Sequence, residues 1–207
     1  MNRQWIAHTA AKAALLGCVL GPAVAGAACN DPGQWMVRVG AHNIDPTQTS
    51  STAVGDIDVS SKLGPTFNVD YTFCRNFTVD VLASLPYTHD IKLNGSKVGS
   101  TQHLPPTVSL QYHPITDSPF DPFIGVGINY TMFFNTSLNI PGASLDLKNT
   151  WGYALQGGVD YKLDRNWRVG ADVRYIQIEP DAYINGTNIG TVKIDPLAYG
   201  VTVGYAF

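Results

Sequence analysis

The sequence has few charged residues, few cysteines and no long apolar run in its main part. Thirteen Lys and Arg residues against 16 Asp and Glu residues leave a formal net charge of −3. That balance gives no reason to expect a nucleic acid as a partner. Beyond residue 28 there is no apolar run of about 18 residues, so no transmembrane helix is predicted. Any membrane-spanning part must therefore consist of strands.

The sequence also lacks the spaced motifs of common enzymes and metal sites. It contains neither a G-x-S-x-G elbow nor an H-E-x-x-H motif. His42, His89, His103 and His113 are candidate general bases, but their pairings with Ser or Asp residues are of the kind that arises by chance. None of them stands in a cluster with metal-ligand spacing. The sequence therefore predicts no catalytic residue, no metal and no cofactor.

The first 28 residues have the organisation of a secretory signal peptide. Arg3 and Lys12 supply positive charge, residues 13–24 form an apolar core, and residues 25–27 read Ala-Gly-Ala. We expect cleavage near residues 27–28, which leaves residues 29–207 as the mature domain. A lipoprotein-type cleavage before Cys18 is the weaker alternative, because the apolar core before it would be very short.

Eight segments of the mature chain alternate apolar residues with small or polar ones at the period of a β-strand. They cover residues of about 34–42, 66–73, 77–86, 106–113, 122–132, 150–162, 167–178 and 196–207. The last is the clearest, because every second residue from Leu197 to Phe207 is apolar or aromatic. Aromatic residues recur near the ends of the segments, as they do in the interfacial girdles of membrane barrels.

The charged residues of these segments fall on the opposite face. They are Arg38, Asp70, Asp80, Asp160, Lys162, Arg168, Asp172 and Arg174. Unpaired charges buried between two soluble sheets are costly, whereas a closed barrel presents its apolar face to lipid and pairs its charges across a narrow lumen. The sequence therefore predicts an all-β fold, an eight-stranded antiparallel transmembrane β-barrel.

The connections between the segments alternate in length. Short ones lie near residues 74–76, 114–121 and 163–166, and long ones near 43–65, 87–105, 133–149 and 179–195. Outer-membrane barrels keep short turns in the periplasm and long loops outside, so we expect a bacterial outer-membrane location. In the third long loop, residues 145–148 weakly suggest a short helix.

Two cysteines of the mature chain are expected at the same periplasmic rim. The start of the first strand lies beside the end of the second in this arrangement, which brings Cys29 and Cys74 together. Export passes through an oxidising compartment where thiols can pair. We therefore predict a Cys29–Cys74 disulfide, with two unpaired thiols as the alternative.

Several runs resemble the OmpW family of outer-membrane proteins, which includes the AlkL alkane-uptake proteins. They are STQHLPPTVSLQYHP at 100–114, PFIGVGINYTMFF at 122–134, WGYALQGGVDYKLDRNWRVGADVRYIQIE at 151–179 and the closing VKIDPLAYGVTVGYAF. The resemblance implies passive uptake of small hydrophobic molecules. It also implies an apolar funnel among the extracellular loops and a sideways exit through the barrel wall.

The resemblance places Leu82 at an apolar constriction of the transport path. Arg174 stands where members of the family can carry a large aromatic residue, which puts that constriction in doubt for this chain. Met36 and Phe123 are further candidates for apolar lumen surface, or else simple filler. The aliphatic residues of the long loops either form the funnel or pack against one another.

Three prolines indicate where the wall could open. Pro86, Pro105 and Pro106 lack the N–H that a ladder needs, so pairing should lapse at the extracellular ends of the third and fourth strands. We predict a lateral wall opening there; the alternative is that these prolines only start and stop loops.

The chain ends in a run that resembles the signal read by outer-membrane assembly machinery, with Tyr205 and Phe207 as its aromatic residues. The expected partners are therefore that machinery, outer-membrane lipid and small apolar solutes. The alternative function is a structural, adhesion or receptor barrel without transport.

Overall fold

The computed structural model describes residues 33–48, 50–52 and 55–207. The predicted signal peptide and Cys29 lie outside the described residues. In chain order the described strands are β1 (Gln34–Pro46), β2 (Ser50–Thr52), β3 (Gly55–Val59), β4 (Lys62–Cys74), β5 (Phe77–Ser84), β6 (Tyr87–Leu93), β7 (Ser96–Leu104), β8 (Thr107–Tyr112), β9 (Phe120–Leu138), β10 (Leu145–Leu147), β11 (Thr150–Lys162), β12 (Trp167–Ile176), β13 (Asp181–Ile184), β14 (Thr187–Thr191) and β15 (Pro196–Ala206).

Eight of these strands close an antiparallel barrel, as the alternation predicts. The order is β1-β4-β5-β8-β9-β11-β12-β15, and β15 returns to β1. The closing register runs from Met36 opposite Ala206 to Pro46 opposite Pro196. Trp35 and Phe207 extend it by exchanging two backbone hydrogen bonds, of 3.2 and 2.9 Å.

The outer face of the barrel is apolar and exposed. Ile124, Val126 and Ile128 on β9 are 59–65% exposed, although each is a large aliphatic residue. Aromatic pairs border this belt at both ends, for example Trp35 with Tyr71 at the short-turn end (ring centroids 4.6 Å apart). A surface of this kind is stable only against lipid.

The long loops carry strands of their own. The hairpin β6–β7 joins the upper part of β9 through β7 and joins β3 through β6, while β10, β13 and β14 form a small separate sheet. The short helix suggested at residues 145–148 is wrong. Leu145–Leu147 is strand β10, because Leu147 alternates inward to a buried position and the backbone pairs with β13. None of the described residues forms a helix long and apolar enough to cross a membrane.

The loop strands enclose an apolar core above the lumen. Its buried members are Ile57, Ile91, Leu147, Ala154, Ile176, Ile178, Ala182, Ile189, Val192 and Ile194. They come from the loop strands and from the upper part of the barrel wall. The long-loop end of the barrel is therefore capped by packed side chains.

Candidate functional site

The middle of the lumen is filled by buried ion pairs. Arg38 donates from Nε to Asp70 at 2.5 Å and from Nη1 to Asp160 at 2.8 Å. Arg174 donates to Asp80 at 3.1 Å, and the Asn68 amide donates to the same carboxylate at 2.5 Å. Every one of these side chains is at most 6% exposed. An apolar solute could pass this layer only by separating paired charges in a dry interior, which is costly.

A second charged cluster lies at the short-turn end. The Asp121 carboxylate accepts from His113 Nδ1 at 2.9 Å and lies 3.3 Å from Lys162 Nζ and 3.5 Å from an Arg168 nitrogen. These groups line a cavity of about 420 Å³ that is open at the rim. The lumen is therefore accessible and polar from the periplasmic side but closed above it.

Asp172, the last of the predicted lumen charges, pairs with a histidine. His42 lies 3.1 Å from Asp172 through Nε2 and 2.7 Å from the Thr66 hydroxyl through Nδ1. This hydroxyl–imidazole–carboxylate chain resembles the order of a catalytic triad. Thr66 is only 2% exposed, however, and the adjacent cavity measures about 20 Å³. The hydroxyl, the imidazole and the carboxylate therefore serve to satisfy one another's hydrogen bonds in the barrel interior.

Sequence reasoning missed three members of the lumen network: His42, His113 and Asp121. His42 continues the inward series Met36, Arg38, Gly40, so the period-two pattern contained the signal. Asp121 was assigned to a connection, yet it lies inside β9 and two residues before the inward Phe123. His113 likewise stands on the inward face of segment 106–113, and extending the fifth segment back by one residue would have included Asp121.

The residues predicted for the transport path do not lie together. Leu82 is 8% exposed and lines a small cavity with Ile44, Ile176 and Arg174. Phe123 instead packs in the charged part of the lumen, with the Arg38 guanidinium 5.7 Å from its ring centroid. Met36 and Phe123 do not line the cavity beside Leu82. The role of all three stays a prediction.

Strand pairing lapses at the three prolines. The last pair of the β5–β8 ladder is Leu82 with Thr107, and pairing resumes at Tyr87 with His103 in the β6–β7 hairpin. Residues 85–86 and 105–106 therefore lie between the two ladders. The β5–β6 side and the β7–β8 side of this long hairpin are therefore interrupted at the same height of the wall.

The two sides of this interruption differ. On the β9 side the Pro106 carbonyl accepts hydrogen bonds from the Tyr130 backbone N–H and the Asn129 amide, at 3.1 and 3.0 Å. On the β4 side the ladder to β5 ends at Thr66 with Ser84. No described ladder joins the part of β4 above Thr66 to β6.

Tyr87 covers the place where the β4 ladder stops. We call residues 64–65 of β4 and residues 85–87 opposite them the wall window. The Tyr87 ring occupies the space above Gly64, where a Cβ atom would lie 2.4 Å from it. Its hydroxyl donates a long hydrogen bond, 3.4 Å, to the Pro65 carbonyl. One aromatic side chain with a weak polar contact thus closes this part of the wall.

The loop aliphatics pack against one another in this conformation. Ile57, Ile91 and Leu147 are 3–8% exposed, and the cavity among them measures about 10 Å³. An open funnel among the loops, one of the two alternatives left by the sequence, is not present among the described residues. Apolar side chains nevertheless extend from the loops down to Leu82.

Other predicted sites are only partly described. Cys74 is buried at the short-turn end, but its predicted disulfide partner Cys29 is not described, so the bond stays a prediction. Among the described residues no group of three or more His, Cys, Asp or Glu side chains is arranged to hold a metal ion. Tyr205 and Phe207 lie on the lipid-facing side at the short-turn end, 40% and 65% exposed.

Comparison with known proteins places this geometry among outer-membrane barrels. Residues 31–207 match the OmpW family. The chain is 34% identical over 193 residues to outer membrane protein W of Vibrio cholerae serotype O1, which covers 84% of this chain and 89% of the relative. It is 30% identical over 167 residues to outer membrane protein AlkL of Ectopseudomonas oleovorans, covering 73% and 69%.

A solved structure has the same fold. The crystal structure of the outer membrane protein OprG from Pseudomonas aeruginosa superposes with a TM-score of 0.76 at 29% identity. The superposition covers 84% of this chain and 96% of that chain.

Proposed function

The chain belongs to the OmpW family of outer-membrane β-barrels, and on that premise we propose that it passively takes up small hydrophobic solutes. In this proposal a solute enters among the extracellular loops, moves down their apolar core to Leu82 and leaves sideways through the wall window into the bilayer. The relationship to AlkL supports the choice of an apolar solute.

The observation that carries the proposal is the contrast between the two halves of the lumen. The apolar cluster of the loop strands lies in the upper half, whereas the layer of Arg38, Arg174 and their carboxylate partners fills the middle. A straight path to the periplasm would require an alkane to displace those ion pairs. A sideways exit above that layer avoids this cost.

The position of the exit is supported by the unequal sides of the proline interruption. The β9 side is held by hydrogen bonds to the Pro106 carbonyl, while the β4 side is closed mainly by the Tyr87 ring. Moving one side chain costs less than breaking a ladder. The exit is therefore assigned to the gap between β4 and the Pro86 segment.

Uptake by cells tests the proposal. Cells that lack the protein receive wild type, the triple variant Pro86→Val/Pro105→Val/Pro106→Val, or the control Pro114→Val in an exposed periplasmic turn. We expect wild type and control to accelerate decane uptake and the triple variant to return it to the background rate. Heat-modifiable migration verifies that each barrel is folded. Equal uptake with and without wild-type protein would exclude transport; fast uptake through the folded triple variant would exclude this exit.

The tight loop core favours a second candidate, a barrel that presents rigid loops for adhesion or as a receptor. Cavities of about 10 and 20 Å³ admit no solute without movement. If decane uptake is independent of the protein while loop variants abolish attachment of cells to a surface, this second function replaces the first.

A further inference from the structure

Two buried imidazole rings face each other in the β6–β7 hairpin. The rings of His89 and His103 are stacked with centroids 4.6 Å apart and an interplanar angle of 13°. Their residues are 0% and 1% exposed. We call them the histidine pair. Burying two polar imidazole rings costs free energy that apolar side chains in the same positions would not cost.

Among the described residues, three of the four ring nitrogens have no hydrogen-bond partner. His89 Nδ1 lies 2.5 Å from the Ser60 carbonyl, and because a carbonyl only accepts, this nitrogen carries the hydrogen. Its Nε2 is therefore an acceptor without a donor, and both nitrogens of His103 are unpartnered. Each unpartnered buried polar atom reduces the stability of the fold, so these positions are not explained by packing.

The surroundings offer the pair little that is polar. The rings of Tyr87 and Phe133 lie beside His103, with centroids at 6.2 and 5.9 Å, and the nearby Thr101 hydroxyl is bonded to the Thr136 hydroxyl at 2.9 Å. A shared metal ion does not fit, because among the described residues no third His, Cys, Asp or Glu side chain joins the pair to hold one.

The pair lies on the proposed route. Inward residues follow the order Tyr87, His89, Ile91 along β6. Tyr87 lines the cavity beside Leu82, and Ile91 lines the cavity of the loop core. His89 therefore lies along β6 between a residue that lines one cavity and a residue that lines the other, beside the proposed path from the loops to the wall window.

We infer that the histidine pair binds the single polar group of an otherwise apolar solute, and that this group is a hydroxyl. The inference rests on the proposed function for its route. An alcohol donates its O–H to His89 Nε2 and accepts from the N–H of the neutral His103 ring, so one group satisfies an acceptor and a donor together. A carboxylate only accepts and carries a charge into a dry site, and an alkane offers neither bond. The preferred substrates are medium-chain alcohols.

Binding is tested directly in bilayers with histidine-labelled protein. 1-Decanol and decane are titrated while the imidazole nitrogen signals are recorded by NMR. His42 and His113, which are bonded to Asp172 and Asp121, serve as internal controls. We expect decanol to shift the signals of His89 and His103 and leave the controls in place, and decane to shift neither set. Unmoved His89 and His103 signals at saturating decanol would overturn the inference.

Transport supplies the second arm. The variant His89→Phe/His103→Leu removes every ring nitrogen while keeping apolar packing, and heat-modifiable migration verifies its fold. We expect decane uptake to remain and the preference for decanol over decane to fall by about tenfold, as the loss of one or two hydrogen bonds implies. An unchanged preference would overturn the inference while decane uptake still stands. If cells with and without the wild-type protein take up both solutes at the same rate, the proposed function is overturned instead. The NMR result then decides alone whether the histidine pair binds decanol.

Discussion

Burial fixes the charge state of the two stacked histidines. Burial and, to a smaller extent, the neighbouring His89 ring lower the pKa of His103 from its ordinary value of 6.5 to about 3. Burial also lowers the pKa of His89; nearby Lys62 acts in the same direction, and the Ser60 carbonyl and Asp90 act against it. Asp90 in turn is paired with Lys97 at 2.8 Å. Both rings are therefore neutral in the closed hairpin at pH 7.

This charge state gives the loop core a pH dependence with a definite sign. Because the pKa of His103 is depressed in the folded protein, the stability it contributes is complete above about 6.5 and is lost as the pH falls from there toward 3. We expect the protection factors of the β6 and β7 amides, which are exchange rates corrected for the intrinsic effect of pH, to fall between pH 7.5 and pH 5. His103→Leu should weaken this dependence. Equal protection factors at both pH values in wild type would contradict it.

The Arg38 guanidinium holds two carboxylates that have no exposure to water. Asp70 and Asp160 are each 1% exposed, so Arg38→Met leaves two buried negative charges without their partner. Breaking a buried pair in this way costs about 3–5 kcal/mol. We expect a clearly lower midpoint of urea unfolding in lipid vesicles, followed by tryptophan fluorescence. The control Lys148→Met removes an exposed pair with Asp146 and should leave the midpoint unchanged. Equal midpoints for both variants would show that the lumen pairs do not stabilise the barrel.

At the scale of elements, the barrel was predictable and the loops were not. Alternation with period two identified all eight wall strands, because lipid on one side and a narrow lumen on the other impose opposite chemistry on successive residues. The loop strands obey no such external constraint. The sequence signals for the loop strands are confined to two-residue turns. Asn94-Gly95 and Asn185-Gly186 adopt positive φ at both residues, which is the usual requirement of tight hairpin turns. The stacking of His89 on His103 depends on a hairpin register that the sequence alone does not specify.

At the wall window a substitution can also be chosen that should speed decane uptake, whereas the proline variant should slow it. A Cβ atom on Gly64 would lie 2.4 Å from the Tyr87 ring, so Gly64→Ala forces that ring away from the wall. Overpacking typically costs about 1–3 kcal/mol in the closed state. When opening of the wall window relieves about 1.4 kcal/mol of this cost, the population of the open state rises tenfold. We therefore expect decane uptake to rise up to about tenfold.

The matched control for this variant is Gly157→Ala on β11. A Cβ atom there meets only the Phe123 carbonyl oxygen, at an ordinary 3.7 Å, so uptake should equal that of wild type. Slower uptake through a folded Gly64→Ala barrel would mean that the Tyr87 ring does not close the exit.

At the scale of the whole molecule, closure depends on the pairing of the first and the last wall strand. β1 and β15 pair over eleven positions, and beyond them Trp35 and Phe207 exchange backbone hydrogen bonds. The side chain of Phe207 takes no part in those bonds and is 65% exposed. Tyr205 differs, because its ring contacts Trp167 at 5.1 Å. A substitution of the Phe207 side chain can therefore test the predicted assembly signal without removing a described structural contact.

Phe207→Ala keeps the backbone bonds to Trp35 and removes only the terminal aromatic ring. If that ring is an address for assembly machinery, the amount of folded protein in the outer membrane should fall several-fold, while the free energy of unfolding of the purified barrel changes by no more than about 0.5 kcal/mol. Val203→Ala removes apolar surface from the lipid face of the same strand and should leave the assembled amount unchanged. Heat-modifiable migration of membrane fractions measures the first quantity, and urea unfolding in vesicles measures the second. A parallel loss of both quantities would assign the ring to barrel stability, because an address that is read only during insertion has no effect on the finished barrel.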